Sequence, residues 1–411
     1  MSQQESPEPP HDPVPGTTAS TGPGIVGPPP PGAAPYPADP AGPPGAAVAG
    51  APGDARPANG GPAGPAVVTP GGARPALGLL RGDDPLLPHL AWEAVLLVLA
   101  VLSVIVTVVA APGGPVAEQL LRNTASIGLV ASAVAVSFRT GTPNLAAGAM
   151  TTVAGLLTIH LVAAQHWGEL TAGAAAVLVV TVIGLVLGGI TGLLSVPGWA
   201  VTAGGMVLLV GIAFLATGAR AVALDGGTGA PSGVLWFVLF AVVSLGGAGL
   251  WLVPPVRRTL SAVRHPGDPS AWNAPGAFGA LAGLTLSGLL CGLAGALQAY
   301  QYRAMSLNDG ITVLTIAMAA ALLGGASVFG RRAGLTGTVL ASLILAGIVT
   351  TFALQGVSEP GGELTVAGVA IIVGLGVNRG LELLSSLLSR RAGARRPGLP
   401  TVAAAPPGAR P

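Results

Sequence analysis

The stretch Trp92–Ala111, WEAVLLVLAVLSVIVTVVAA, decides the class of this chain. Its one charge, Glu93, stands next to its start, and a bilayer crossing needs roughly 20 apolar residues. Working outward, nine more apolar segments follow: Leu120–Phe138, Pro143–Val162, Thr171–Leu194, Ala200–Thr217, Gly233–Val253, Ala277–Ala299, Ile311–Val328, Leu335–Leu354 and Leu364–Leu388. Short polar joints separate them, and Arg collects in every second joint. The reading is an all-α polytopic membrane protein of about ten transmembrane helices. The third segment opens at Pro143, so its mid-part is open to a re-entrant rather than a spanning reading.

The arginines also orient it, because positive residues accumulate on the cytoplasmic side. Arg74 and Arg81 precede the first segment. Arg139, then Arg257, Arg258 and Arg264, then Arg331 and Arg332, then Arg390, Arg391, Arg395 and Arg396 fall on the same side. The other side receives Arg122, Arg220 and Arg303 among Glu118, Glu169, Asp225, Asp309, Glu359 and Glu363. Ten segments with both ends cytoplasmic account for this split. The six Trp residues lie at or near segment ends, where an amphipathic ring suits the interface.

Composition narrows the chemistry. Hydrophobic residues make up 51% and charged residues 8%, against about 25% charged in a soluble domain. Every one of the 18 basic residues is Arg. A phosphate-binding loop of the G-x-x-x-x-G-K-[ST] type needs a Lys, so ATP hydrolysis belongs on another polypeptide. Schiff-base chemistry on Lys is excluded as well. Cys291, the only cysteine, reads as a small core residue and rules out an intramolecular disulfide or a Cys-based metal site. No catalytic set, metal centre or cofactor motif emerges. His160 and His166 read as interfacial histidines. The segment centres are nearly free of ionisable groups, which argues against proton or sodium coupling.

Residues 1–84 are a different polymer, dense in Pro, Gly and Ala, and are expected to be a disordered cytoplasmic tail. Residues 91–388 form the transmembrane domain, and residues 389–411 a short basic cytoplasmic tail. Glycines four apart (Gly184, Gly188 and Gly192; Gly279 and Gly283; Gly288 and Gly292) put small residues on one helix stripe and let backbones approach.

Two joints carry candidate function. In Arg139–Gly148, RTGTPNLAAG, Pro143 and the glycines break the helix. Thr140, Thr142 and Asn144 bring hydrogen-bonding groups to the break, and Gly148 lies at the helix restart. These four are the candidate substrate-path residues; the rival reading is a simple interhelical turn. The loop of about Pro254–Gly276 is expected to hold a short basic helix ending at a Pro-Gly turn. Arg257, Arg258, Arg264, His265 and Asp268 make it a candidate dock for a soluble partner, with a positive-inside anchor as the rival.

The run AALLGGASVFG over Ala320–Gly330, followed by GLTGTVLASLIL over Gly334–Leu345, resembles the inner-membrane permeases of ribose-type ABC importers. Ser287–Gly295, SGLLCGLAG, and Gly188–Leu194 followed by Pro197 are similar to further segments of that family. The resemblance covers about Ala91 to Leu384. It implies a permease subunit, not an enzyme, in a bacterial plasma (inner) membrane, with membrane lipid around it and no nucleic-acid partner. The expected partners are a second permease copy, cytoplasmic ATP-binding ABC subunits and an extracytoplasmic solute-binding protein. It implies a sugar or sugar-like solute, and places the ATPase coupling element at Arg257–Asn273.

Two departures keep alternatives open. Pro143–Gly148 replaces the family's acidic I-D-L-S-x-G element, and an Asn there is also similar to relatives for nucleosides or branched-chain amino acids. Gly267–Trp272 keeps only a trace of the usual coupling-loop pattern. That leaves a membrane scaffold or regulatory protein, with the fold but without transport, as the second reading.

Overall fold

The computed structural model describes residues 87–224, 232–251, 253–307, 309–330, 334–357 and 361–394. The expected disordered tail, residues 1–84, lies outside these residues, as do Asp225, Arg331, Arg332, Glu359, Arg395 and Arg396.

The described residues are almost wholly helical. The order is α1 (Leu87–Ala110), α2 (Gly114–Arg139), α3 (Ala147–Gln165), α4 (Glu169–Leu194), α5 (Gly198–Thr217), α6 (Gly233–Trp251), α7 (Pro254–Ala262), α8 (Ala274–Tyr302), α9 (Asp309–Leu323), α10 (Leu335–Leu354) and α11 (Gly361–Ala394). β1 (Val222–Ala223) and β2 (Ala304–Met305) form a two-stranded antiparallel ribbon that ties the end of α5 to the end of α8. Eight helices, α1 to α5, α8, α10 and α11, are long and apolar enough to cross a bilayer. Two shorter apolar helices, α6 and α9, stand where the sixth and eighth apolar segments fall. This is the all-α architecture of a polytopic membrane protein. Helices suit that setting because each backbone N–H and C=O is satisfied within its own segment.

Several boundaries move. α11 runs beyond Leu388 to Ala394, and α9 stops at Leu323, well short of Val328. The expected short helix in the Pro254–Gly276 loop is α7, amphipathic in sequence, followed by a single 3-10 turn at Pro269–Ala271.

The bundle has an inner and an outer set of helices. In α2 and α8, 78% and 67% of the most apolar stretch is buried, against 17% in α1 and α11. The outer helices instead expose Leu, Val and Ile along their length, including Leu178, Val207, Leu215 and Ile372. That surface suits lipid tails as solvent.

The glycine stripes find their partners inside the chain. A Cβ on Gly192 would stand 2.6 Å from the Ala277 carbonyl oxygen, and one on Gly288 would stand 2.7 Å from that of Val180. Gly184 and Gly188 meet α8 backbone in the same way. The stripe therefore seats α4 on α8 backbone to backbone. The motif that carries the family resemblance has a similar physical basis: Gly324, just past α9, and Gly337, in the first turn of α10, cross so closely that neither tolerates a Cβ.

Trp92 is more than an interfacial anchor. Its Nε1 donates to the Leu323 carbonyl across 2.9 Å and so caps the end of α9.

Candidate functional site

The third crossing is broken. α2 ends at Arg139 and α3 starts at Ala147. Between them, Thr140 packs on Gly283, Asn144 bonds Ser287, and Thr151 lies against Gly295. The non-helical residues thus travel along the first half of α8, and α3 begins beside its middle. Gly141 opens the break with φ 75°, and a Cβ there would stand 2.7 Å from the His265 carbonyl oxygen.

Non-helical backbone inside an apolar bundle needs protein partners for its polar groups, and here it finds them. Thr142 N donates to the Ser137 carbonyl (2.9 Å) and Asn144 N to Ser137 Oγ (3.0 Å). Thr202 on α5 accepts from Leu145 N (3.1 Å) and donates to the Pro143 carbonyl (2.8 Å). Asn144 Oδ1 accepts from Ala146 N (3.0 Å), while its Nδ2 donates to Ser287 Oγ (2.9 Å). Thr140 and Thr142 share a hydroxyl–hydroxyl bond of 2.8 Å. Gly148 packs directly on Gly310 at the start of α9. Thr140, Thr142, Asn144 and Gly148 are all buried, and the first three spend their polar atoms on the fold.

The loop after α7 is fastened to this break. His265 N donates to the Thr140 carbonyl across 2.8 Å, and His265 Nδ1 accepts from Gly267 N. Its Nε2 is buried without a hydrogen-bond partner. Burial lowers the His265 pKa, and the nearby Thr191 carbonyl opposes this only in part. Ser195 Oγ donates to the Asp268 carbonyl, and Trp272 Nε1 to the Gly192 carbonyl, so the loop also grips the end of α4. Arg139 Nη1 donates to the Gly330 carbonyl in the joint that follows α9. Arg264 and Asp268 are exposed, and the Ser270 N–H and O–H hold the Asp268 carboxyl below its usual range. Arg257 and Arg258 lie on α7, and their side chains are outside what the structure describes.

The opposite end of the bundle holds a cavity of about 830 Å³. It lies among the first turns of α2, α9 and α11, the last turns of α8 and α10, and β2. None of the four candidate path residues lines it. Its centre is Asn123, whose Oδ1 accepts from Gln301 Nε2 (2.7 Å), Tyr302 Oη (3.0 Å) and Gln119 Nε2 (3.2 Å). Asn123 Nδ2 donates to Thr350 Oγ1 across 3.1 Å, and Gln298 Nε2 to Ser126 Oγ across 2.8 Å. Ser306, Thr312, Asp309 and Glu363 complete the polar lining. Compared with family models, curated proteins and solved structures, the chain matches none.

The sequence reading did not single out these cavity residues. One signal was available. Gln119, Asn123 and Ser126 recur at i, i+4 and i+7, which is one face of α2, and α2 is the least apolar of the eight long helices.

His160 and His166 are exposed, and no group of three metal-ligating side chains comes together among the described residues.

Proposed function

We propose that the chain is the membrane-spanning permease subunit of an ABC importer, carrying a sugar or sugar-like solute across a bacterial inner membrane. In this reading ten helices cross, both termini are cytoplasmic, and the Asn123 cavity is the extracytoplasmic part of the path. The observation that carries it is the cavity: amides and hydroxyls gathered inside an apolar bundle, at the end away from most arginines. Small-molecule sites run to roughly 300–1,000 Å³ with a few placed polar groups, and this cavity is of that size. The broken crossing adds support, because transporters place interrupted helices where a path must open.

The loop after α7 supplies the other half of the mechanism. ATP binding and hydrolysis on partner subunits would push this loop, and its bonds to Thr140, Gly192 and Ser195 carry the push to the break and to α4. The motif resemblance over Ala320–Leu345 supports the same assignment. The divergence of Gly267–Trp272 from the family pattern favours the scaffold reading instead.

Co-purification from native membranes in mild detergent separates the two. Recovery of an ATP-binding subunit, lost when Arg257, Arg258 and Arg264 are replaced by Ala, supports the permease. Recovery of this chain alone, or with non-transport proteins, supports the scaffold.

A further inference from the structure

We infer that the Asn123 cavity is a binding site that admits uncharged and cationic polar solutes and rejects anions. As a statement about cargo this rests on the permease reading; as a statement about the cavity it stands on the lining alone. Among the described lining residues are two carboxylates, Asp309 and Glu363, and no Arg, Lys or His. Three arginines do stand at this end of the bundle, Arg122, Arg220 and Arg303, but none lines the cavity. Arg303 pairs with Glu169 at 3.1 Å and Arg122 with Glu118 at 3.5 Å. The Asp309 carboxylate is fixed at the start of α9, accepting from Ser306 N across 2.8 Å. A concave site with low-dielectric walls and charge of one sign focuses its field on whatever enters.

The interior beneath those carboxylates is built to exchange hydrogen bonds. An amide oxygen offers two lone pairs, yet Asn123 Oδ1 faces three donors, from Gln119, Gln301 and Tyr302. A solute oxygen or nitrogen can take over one donor and leave Asn123 fully satisfied. Tyr302 is half exposed, whereas Asn123 is 8% exposed. The site therefore presents both hydrogen-bond donors and acceptors to an entering ligand.

Charged thiol reagents of similar size test this without knowing the solute. Cys291 is buried, so the full-length purified chain serves as background for Thr312→Cys and, in case one position perturbs the fold, Ser306→Cys. Each is treated with a cationic trimethylammonium-ethyl and an anionic sulfonato-ethyl methanethiosulfonate. Reaction rates are read by mass spectrometry and divided by those of free cysteine. The expected result is a cation-over-anion preference raised by about tenfold or more, which collapses toward the free-cysteine ratio when Asp309→Asn and Glu363→Gln are added. A ratio equal to that of free cysteine overturns the inference, as does a ratio that ignores the two neutral substitutions. Failure of both reagents to react at both positions overturns it too, because the cavity then admits no solute. None of these outcomes depends on an ATP-binding partner, so a failed co-purification leaves the test intact.

Discussion

His265 and Thr140 are joined backbone to backbone, the His265 N–H donating to the Thr140 carbonyl across 2.8 Å. That bond links the loop between α7 and α8 to the first residue after α2. The loop cannot be drawn away without uncapping α2 or dragging the start of the broken crossing with it.

This junction should weaken in acid. Burial lowers the His265 pKa below its ordinary value of about 6.5, so the folded state favours the neutral ring. The contribution is full above about pH 6.5 and falls as pH drops below it toward the folded-state pKa. Limited proteolysis within residues 263–273 should be faster at pH 5.5 than at pH 7.5. His265→Asn, which can still accept from Gly267 N, should remove that difference; an unchanged pH profile in the variant would refute the assignment.

The break should be more sensitive to Asn144 than to Ser287. Ser287→Ala removes one interhelical bond, worth about 1 kcal/mol in a membrane bundle. Asn144→Leu also strands Ala146 N, and an unsatisfied buried group adds about 1–3 kcal/mol. Thermal unfolding in detergent should rank Asn144→Leu below Ser287→Ala, and both below the unmodified chain. The reverse order would mean the side chain is not what holds the break.

Helix contact, rather than helix propensity, should set the cost at the glycines. Gly288→Val places its Cβ against the Val180 carbonyl and should abolish recovery of monodisperse protein. Gly204→Val, on α5 with nothing within 4 Å of its Cβ, should behave as the parent in gel filtration. Equal damage at both positions would show that the contact is not responsible.

Cys291 is fully buried on α8. A membrane-permeant maleimide should leave the native chain unmodified and label it once in hot detergent. Labelling at the native stage would mean that the α8 environment opens far more readily than its packing implies.

The long apolar runs were legible because a span is a length and a composition, both of which a sequence displays directly. Gly184, Gly188 and Gly192 announced close packing but not its partner, since four-residue spacing says nothing about which helix comes near. Pro143 and Gly141 marked the break correctly in place. What they did not reveal is that Thr202, Ser137 and Ser287 consume the polar groups there. The cavity was illegible for a related reason: Asn123, Gln298, Thr350 and Asp309 come from four helices, and only the fold brings them together. Trp92 showed the same limit, as an aromatic ring at a span end can face lipid headgroups or a neighbouring helix terminus.

The broken third crossing has a consequence for how the protein is made. As residues 140–146 leave the ribosome, Ser137 already exists to hold Thr142 N and Asn144 N, but the partners of Leu145 N, the Pro143 carbonyl and the Asn144 side-chain amide do not. Thr202 lies 57 residues downstream of Leu145, and Ser287 lies 143 residues downstream of Asn144. At about 5–20 residues per second, Ser287 arrives roughly 7–30 s later. Through that interval the Asn144 side-chain amide lacks its α8 partner. The bonds to α5 and α8 form only once those helices have been made, so the final seating of the break is a late, checkable step in biogenesis.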